Sequence, residues 1–295
     1  MKILISGSSG FVGNALVKHL EGDGHEVHRL LRRKEPEPDR ITWDPLTGRI
    51  DPEQLEGFDA VVHLGGENIA SGRWTKRRKK RLRDSRVNTT RFLALTLSQL
   101  RNKPEVFACA SAIGIYGSRG DAELTEASPP GVGFFPDIGQ EWERACEPAA
   151  FAGIRVVNWR LGVILGRQDG ALAKMLTPFR LCVGGVIGNG RQFWSWISLE
   201  DTLRAMTFTL SSPVAGPVNL VSPQPVTNHQ FTKTLGRVLR RPTIIPLPAF
   251  AARTILGEMA DAALLASARV KPKVLQDAGF RFNHDDLESA LRAEL

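Results

Sequence analysis

Apolar residues near the start of the chain fall into short, dense runs. Lys2–Ser6 is one such run, stopped by glycine, and predicts a buried strand. Phe11, Val12, Leu16, Val17 and Leu20 then recur at helical spacing, which predicts a helix over Phe11–Leu20. Glu26–Leu31, Asp59–Leu64 and Val106–Ala110 predict further strands, and Ile154–Leu165 holds another that runs on past Arg160. Helical stretches lie between them, over Trp74–Leu100 and Ile138–Ala152. Strands alternating with helices imply βαβ units, a parallel sheet and right-handed crossovers. After about Gly166 the texture changes, with glycine, proline and tryptophan clustered in GGVIGNGRQFWSW, SSPVAGPVNLVSPQPV and RRPTIIPLP. Helices are expected there over Asn228–Leu239 and Ala249–Ala268. The fold class is therefore α/β, a doubly wound parallel sheet with a smaller C-terminal lobe. Residues 1–165 belong to the sheet domain and residues 166–295 to the lobe, with the sheet completed by about 195–225. No repeat or low-complexity linker interrupts the chain.

The first strand and helix are joined by Gly7-Ser8-Ser9-Gly10-Phe11-Val12-Gly13. A glycine-rich turn between strand and helix is the Rossmann-type context for a dinucleotide. Gly7 permits the tight turn, Gly10 lets the backbone approach a pyrophosphate, and Gly13 lets the helix pack closely. The free N–H groups at the helix start receive phosphates. Gly7, Ser9, Gly10, Phe11, Val12 and Gly13 are thus candidate cofactor contacts. An acid at the end of the second strand would bond a ribose 2′-hydroxyl, whereas arginine accommodates a 2′-phosphate. Here Leu31 is followed by Arg32, Arg33 and Lys34, with no acid. That predicts NADP(H), with Arg32 and Arg33 on the 2′-phosphate beside Leu31, against the alternative of a solvated basic loop.

Composition narrows the partners. The chain has 295 residues, of which 42% are hydrophobic and 24% charged, so it is expected to be globular. Cys109, Cys146 and Cys182 are far apart and form no CxxC pair, which excludes a disulfide framework and a zinc site. A reducing, cytoplasmic compartment is expected. No apolar run approaches the roughly 18 residues of a membrane span. The net charge of +8 comes from one segment, Arg73–Arg86, where nine cations face one acid, Asp84. No aromatic platform accompanies that run, so it reads as a solvated helix face and not as a nucleic-acid site. The expected partner is a small-molecule substrate, with no nucleic acid, no membrane and no metal.

The segments GSSGFVG, HLGGENIA, SAIGIYG and RLGVILG resemble the extended branch of the short-chain dehydrogenase/reductase superfamily. RITWDPLTG, the basic GGENIASGRWTKRRKKRLRDSRVNTTRFL, QEWE, GGVIGNGRQFWSWISLEDTLRAM and the tail from VNLVSPQPVTN resemble one atypical subgroup, the epimerase-like NADP-binding proteins also called nucleoside-diphosphate-sugar epimerase-like. The resemblance covers nearly the whole chain. It implies a seven-stranded parallel sheet, a substrate cleft beneath the lobe, and NADP(H). It places Leu64 and Gly65 over the adenosine side, brings Arg81 and Arg86 toward the cofactor from the basic helix, and adds Glu67, Leu161 and Val163 to the cofactor contacts. Relatives often dimerise through a helical face, but here that helix is strongly basic and would repel itself, which favours a monomer.

Active members use Ser or Thr, then Tyr and Lys four residues apart; the phenol moves a proton while Lys lowers its pKa. Ser111 matches the Ser/Thr position and is expected at both the cofactor and the substrate. The only tyrosine is Tyr116, and Gly120 stands four residues beyond it. The expected Tyr and Lys positions hold Phe135 and Gly139. Three readings remain open. In the first, an NADP-dependent oxidoreductase or epimerase has rebuilt its acid/base pair from Ser111, Tyr116 and Glu141, or from Glu67. In the second, the protein binds NADPH without turnover and serves a regulatory or partner-binding role, for instance in cell division. In the third, the nucleotide is structural and the cleft binds a small ligand. Gln192, Trp194 and Trp196 are candidate cleft-lining residues or core. Trp43 is a candidate cover for the adenine, and Asp201 is expected at a helix start.

Overall fold

The computed structural model describes residues 1–32, 37 and 39–295. The strands β1 (Lys2–Ser6), β2 (Glu26–Leu31), β3 (Arg40–Thr42), β4 (Ala60–His63), β5 (Val106–Ala112), β6 (Arg155–Leu161) and β7 (Gly216–Leu220) form one sheet. Their order is β7-β6-β5-β4-β1-β2-β3, and every pairing is parallel. All carboxyl ends therefore emerge on one edge. The chain runs outward one way through β2 and β3 and the other way through β4 to β7, so the turns after β1 and β4 diverge at a switch point, where open α/β sheets bind ligands.

Alternating side chains feed two cores. Ile3 and Ile5 of β1 pack with Leu16, Val17 and Leu20 of α1 (Phe11–Gly22) on one face. Leu4 joins Val61, Phe107, Leu93 and Trp142 on the other, beneath α2 (Lys76–Ser98), α3 (Phe134–Arg144) and α4 (Glu147–Phe151). Central strands buried on both faces read as near-continuous apolar runs, which made them visible in the sequence. β3 is only three residues long and carried no such signal.

The C-terminal half divides its residues between lobe and sheet. Leu172, Leu176 and Phe179 of α5 (Gly170–Arg180) enter the lobe's own core. The chain then returns: α6 (Leu199–Ser211) places Ala205, Met206 and Leu210 in the α1 core, and β7 completes the sheet. Phe231 and Leu235 of α7 (Asn228–Leu239) rejoin the lobe, and α8 (Ala249–Leu256) follows. The helix expected over Ala249–Ala268 is broken at Gly257, whose φ of +61° ends α8 before a π turn at Ala260–Leu264. Leu275 of α9 (Lys273–Asp277) packs under the sheet, while Leu287 and Leu291 of α10 (Leu287–Glu294) close the lobe.

Asp201 stands in the first turn of α6 as expected, and Ser198 caps the helix, accepting from the Asp201 N–H at 3.0 Å. The fully buried Asp201 carboxylate accepts the backbone N–H groups of Asn283 and His284, each at 2.9 Å, and ties the tail to α6. Trp194 and Trp196 are buried and donate to the carbonyls of Leu264 and Gln224; Gln192 donates to the carbonyls of Ile187 and Leu264. All three are core, not cleft lining. Trp43 is likewise buried, stacked on Phe92 and edge-on to His63.

Candidate functional site

The turn after β1 is built around two close approaches. Gly7 has a φ of +76°, and a Cβ there would lie 2.7 Å from the carbonyl carbon of Leu64. A Cβ on Gly13 would lie 2.2 Å from the Gly7 oxygen, so this glycine seats α1 on the turn itself and not on the strand proper. Gly10 is exposed, and its Cβ position is 3.4 Å from the nearest backbone oxygen. It caps α1 without a side-chain hydrogen bond, and no acid stands in the first turn. The helix start thus keeps its N–H groups and its positive dipole end for an anion. Ser8 is buried beside them, and its Oγ has no hydrogen-bond partner among the described residues. A cradle of glycines, open N–H groups and an unpaired buried hydroxyl fits a pyrophosphate.

Phe11 has a second task. A Cβ on Gly166 would lie 2.2 Å from its ring, so the ring fills the gap between the cradle and the loop that leads into α5. Leu161 and Val163 flank Gly162 on the same edge, where the Val163 N–H donates to Ser195 at 2.9 Å. Leu31 ends β2, pairing with Thr42, and Arg32 beyond it is exposed. Arg33 lies outside the described residues.

Beneath the cradle sits His63, which the sequence reading did not single out. It ends β4 opposite Ser6, and its Nδ1 is 2.5 Å from Ser6 Oγ. The ring lies directly behind Gly65. Burial pushes its pKa from 6.5 down to about 4. The folded value lies below the unfolded one, so the fold favours neutral imidazole. That contribution is fully present above about pH 6.5 and is lost as pH falls toward 4. At about 1.4 kcal/mol per unit, roughly 3 kcal/mol is at stake. Denaturant unfolding across this window should show the loss, and His63→Gln should flatten the curve; equal slopes would remove His63 from the account.

The loop after β4 is held by the basic helix. The Glu67 carboxylate pairs with Arg78 and with Arg81, whose Nε donates at 3.2 Å. The hydrogen bond from Arg81 leads in holding Glu67 below the usual carboxylate range. Glu67 is therefore not a free acid/base, and Arg81 is engaged by its carboxylate. Arg86 donates to the carbonyls of Leu82 and Glu67 at 3.1 and 3.0 Å and lies over the Trp142 ring. No carboxylate pairs with it among the described residues, and burial lowers its pKa to about 10. It sits against Gly66, behind the backbone that meets Gly7.

The expected acid/base residues are engaged elsewhere. Tyr116 is fully buried; its hydroxyl donates to Asn219 Oδ1 and accepts from Arg160 Nη1, both at 2.8 Å. Burial raises its pKa. Ser111 is 2% exposed and donates to Glu143 Oε1 at 2.7 Å. Arg160 grips Glu143 with Nε and Nη2, each at 2.8 Å. Ser111, Glu143, Arg160, Tyr116 and Asn219 form one largely buried chain, in which the Tyr116 and Ser111 hydroxyls are both engaged. Glu141 pairs with Arg83 at 2.5 Å and is not part of that chain. The missed residues are Glu143 and Arg160: Glu143 stood in the QEWE segment, but only the fold brings it to Arg160.

The two positions where Tyr and Lys would stand are closed. Phe135 packs edge-on to Trp74 with centroids 4.8 Å apart. A Cβ on Gly139 would lie 2.9 Å from Ile115 Cβ, so no longer side chain fits there.

A parallel sheet with a glycine cradle at its switch point defines a dinucleotide-binding protein of the extended short-chain dehydrogenase/reductase type. The match to the NAD dependent epimerase/dehydratase family spans residues 3–221, and the chain belongs to that family. Residues 247–294 match a domain of unknown function (DUF1731). The Mycobacterium leprae epimerase family protein ML0860 is 42% identical over 98% of this chain and 94% of its own length. The crystal structure of human epimerase family protein SDR39U1 (isoform 2) with NADPH superposes with a TM-score of 0.92 at 35% identity, covering 100% of this chain and 99% of that one. A nucleoside-diphosphate sugar epimerase from Corynebacterium glutamicum gives 0.81 at 35% identity, over 100% of this chain and 58% of that one. No helix among the described residues is long and apolar enough to cross a membrane.

Proposed function

We propose that this chain binds NADP(H) in the cradle after β1 and holds it without the tyrosine–lysine proton relay of its family. It then acts as a dinucleotide-binding regulatory protein, the second of the readings left open by the sequence. The observation that carries the reading is Gly139, which has no room for a side chain where the lysine would stand. Phe135 at the tyrosine position, and the engaged Tyr116 and Ser111, support it. Binding itself is supported by the unpaired Ser8 hydroxyl, the uncapped α1 and the NADPH of the human relative. When bound, the dinucleotide would bring a hydride that this reading leaves unused; the chain's own residues hold its phosphates and bring the Arg86 charge to their side.

Incubation with NADPH and a panel of carbonyl compounds and sugar nucleotides tests the reading. Tight binding with no loss of the reduced nicotinamide and no epimerised sugar is expected. Turnover that follows NADPH would overturn it in favour of an oxidoreductase or epimerase with another proton donor.

The 2′-phosphate assignment makes a separate prediction. Arg32→Ala should weaken NADPH by about tenfold, near 1.4 kcal/mol, and leave NADH unchanged. An equal loss for both nucleotides would move Arg32 off the 2′-phosphate.

A further inference from the structure

The lobe carries an uncovered apolar surface beside a cationic depression. Leu181, Val183, Ile244 and Ile245 are 68%, 53%, 81% and 53% exposed, although large aliphatic side chains are usually inside. They come from two segments that run side by side. The Leu247 N–H donates to Val186 at 2.8 Å, the Gly188 N–H donates to Leu247 at 2.9 Å, and Gly185 abuts the Ile245 carbonyl. Immediately before Ile244, the chain crosses the end of α7, where Gly236 makes room for Arg241 and Thr243. A shallow depression of about 580 Å³ opens there, and its charged lining is Lys233, Arg237, Arg240 and Arg241, of which Arg237 is paired with Glu288 at 2.7 Å. Arg240 sits at the helix end in the left-handed region, φ +53°, a place where glycine is the usual choice.

We infer that this face docks on an anionic phospholipid surface, with phosphate headgroups at the cationic depression and the four aliphatic side chains in the acyl boundary. Aliphatic tips fringed by arginine are what an interfacial contact needs: apolar area for the boundary and positive charge for the leaflet. Ile244 and Ile245 lie between Pro242 and Pro246 on a segment outside the named helices and strands, a form suited to insertion. A second copy fits worse, because face-to-face pairing would bring the same cations together. The contact needs no spanning helix, so it departs from the sequence expectation of no membrane without requiring one. It is also independent of the nucleotide reading, since none of these residues belongs to the cradle.

Vesicle co-sedimentation tests it. The intact protein should pellet with vesicles of phosphatidylserine and phosphatidylcholine and about tenfold less with phosphatidylcholine alone. Ile244→Asp with Ile245→Asp, and separately Arg240→Glu with Arg241→Glu, should abolish pelleting while the wild-type thermal unfolding transition persists as proof of folding. Failure of the wild type to pellet, equal pelleting on both vesicles, or variants that pellet like the wild type would each overturn the inference. The last of these would transfer the contact to the basic helix α2.

Discussion

Glu143→Leu should destabilise the protein by about 3–5 kcal/mol, the cost of leaving one buried charge without its partner. Arg160 is 7% exposed and among the described residues pairs with one carboxylate, Glu143, which accepts from both Nε and Nη2. Its remaining bonds run to the Tyr116 hydroxyl and the Glu126 carbonyl, which cannot neutralise a charge. The same substitution frees Ser111, whose proton now goes to Glu143. Ser111→Ala alone should cost only about 1 kcal/mol, the net worth of one hydrogen bond. Replacing the pair together, Glu143→Leu with Arg160→Met, should recover most of the loss, because two desolvated charges are removed at once. Denaturant unfolding of the three variants separates these cases. If Glu143→Leu cost less than the serine variant, Glu143 would not be the counter-charge on which buried Arg160 depends. NADPH affinity of the double variant should stay near that of the wild type, since the chain proposed to hold the dinucleotide lies elsewhere.

The glycines of the cradle should divide into two kinds. Gly13→Val places its Cβ 2.2 Å from the Gly7 oxygen, on backbone that cannot move aside. It should lower stability by at least the 1–3 kcal/mol typical of overpacking, roughly, and remove measurable NADPH binding. Gly10→Val meets only one backbone oxygen, at 3.4 Å, on an exposed position with an ordinary negative φ. It should fold normally yet lose about a hundredfold in NADPH affinity, because the side chain stands where the pyrophosphate approaches. Calorimetry and thermal unfolding on the same samples distinguish a folding defect from a binding defect. A Gly10 variant with full affinity would place the phosphates somewhere other than the start of α1.

The parts of this account that were legible in the sequence are those encoded by short-range pattern. β1, β2 and α7 have the bounds their apolar spacing implied, because each is fixed by its own residues and their immediate neighbours. Gly7 and Gly13 were readable from the turn they form, Gly7 by its positive φ and Gly13 by its approach to the Gly7 oxygen, whereas the approach of Leu64 to Gly7 is made only by the fold. The lysine position was also readable, and the structure supplies its reason in the contact between Gly139 and Ile115. What was not legible depends on residues far apart in the chain. Tyr116 looked available because it is the only tyrosine, but its environment comes from Arg160 and Asn219, brought in by β6 and β7. Glu67 looked like a free carboxylate until α2 folded Arg78 and Arg81 onto it. For Trp194 and Trp196 the sequence left cleft lining and core both open, and the fold decides for core, since their indole N–H groups bond carbonyls inside the lobe. His63 carried no signal at all, since its burial is a property of the sheet.

The measurement that bears most directly on the account is a calorimetric titration of the unmodified protein with NADPH and, separately, with NADH. NADPH should bind with one site per chain and NADH at least about tenfold more weakly, a difference near 1.4 kcal/mol. Binding of neither nucleotide would contradict the central claim that the cradle after β1 is an NADP(H) site.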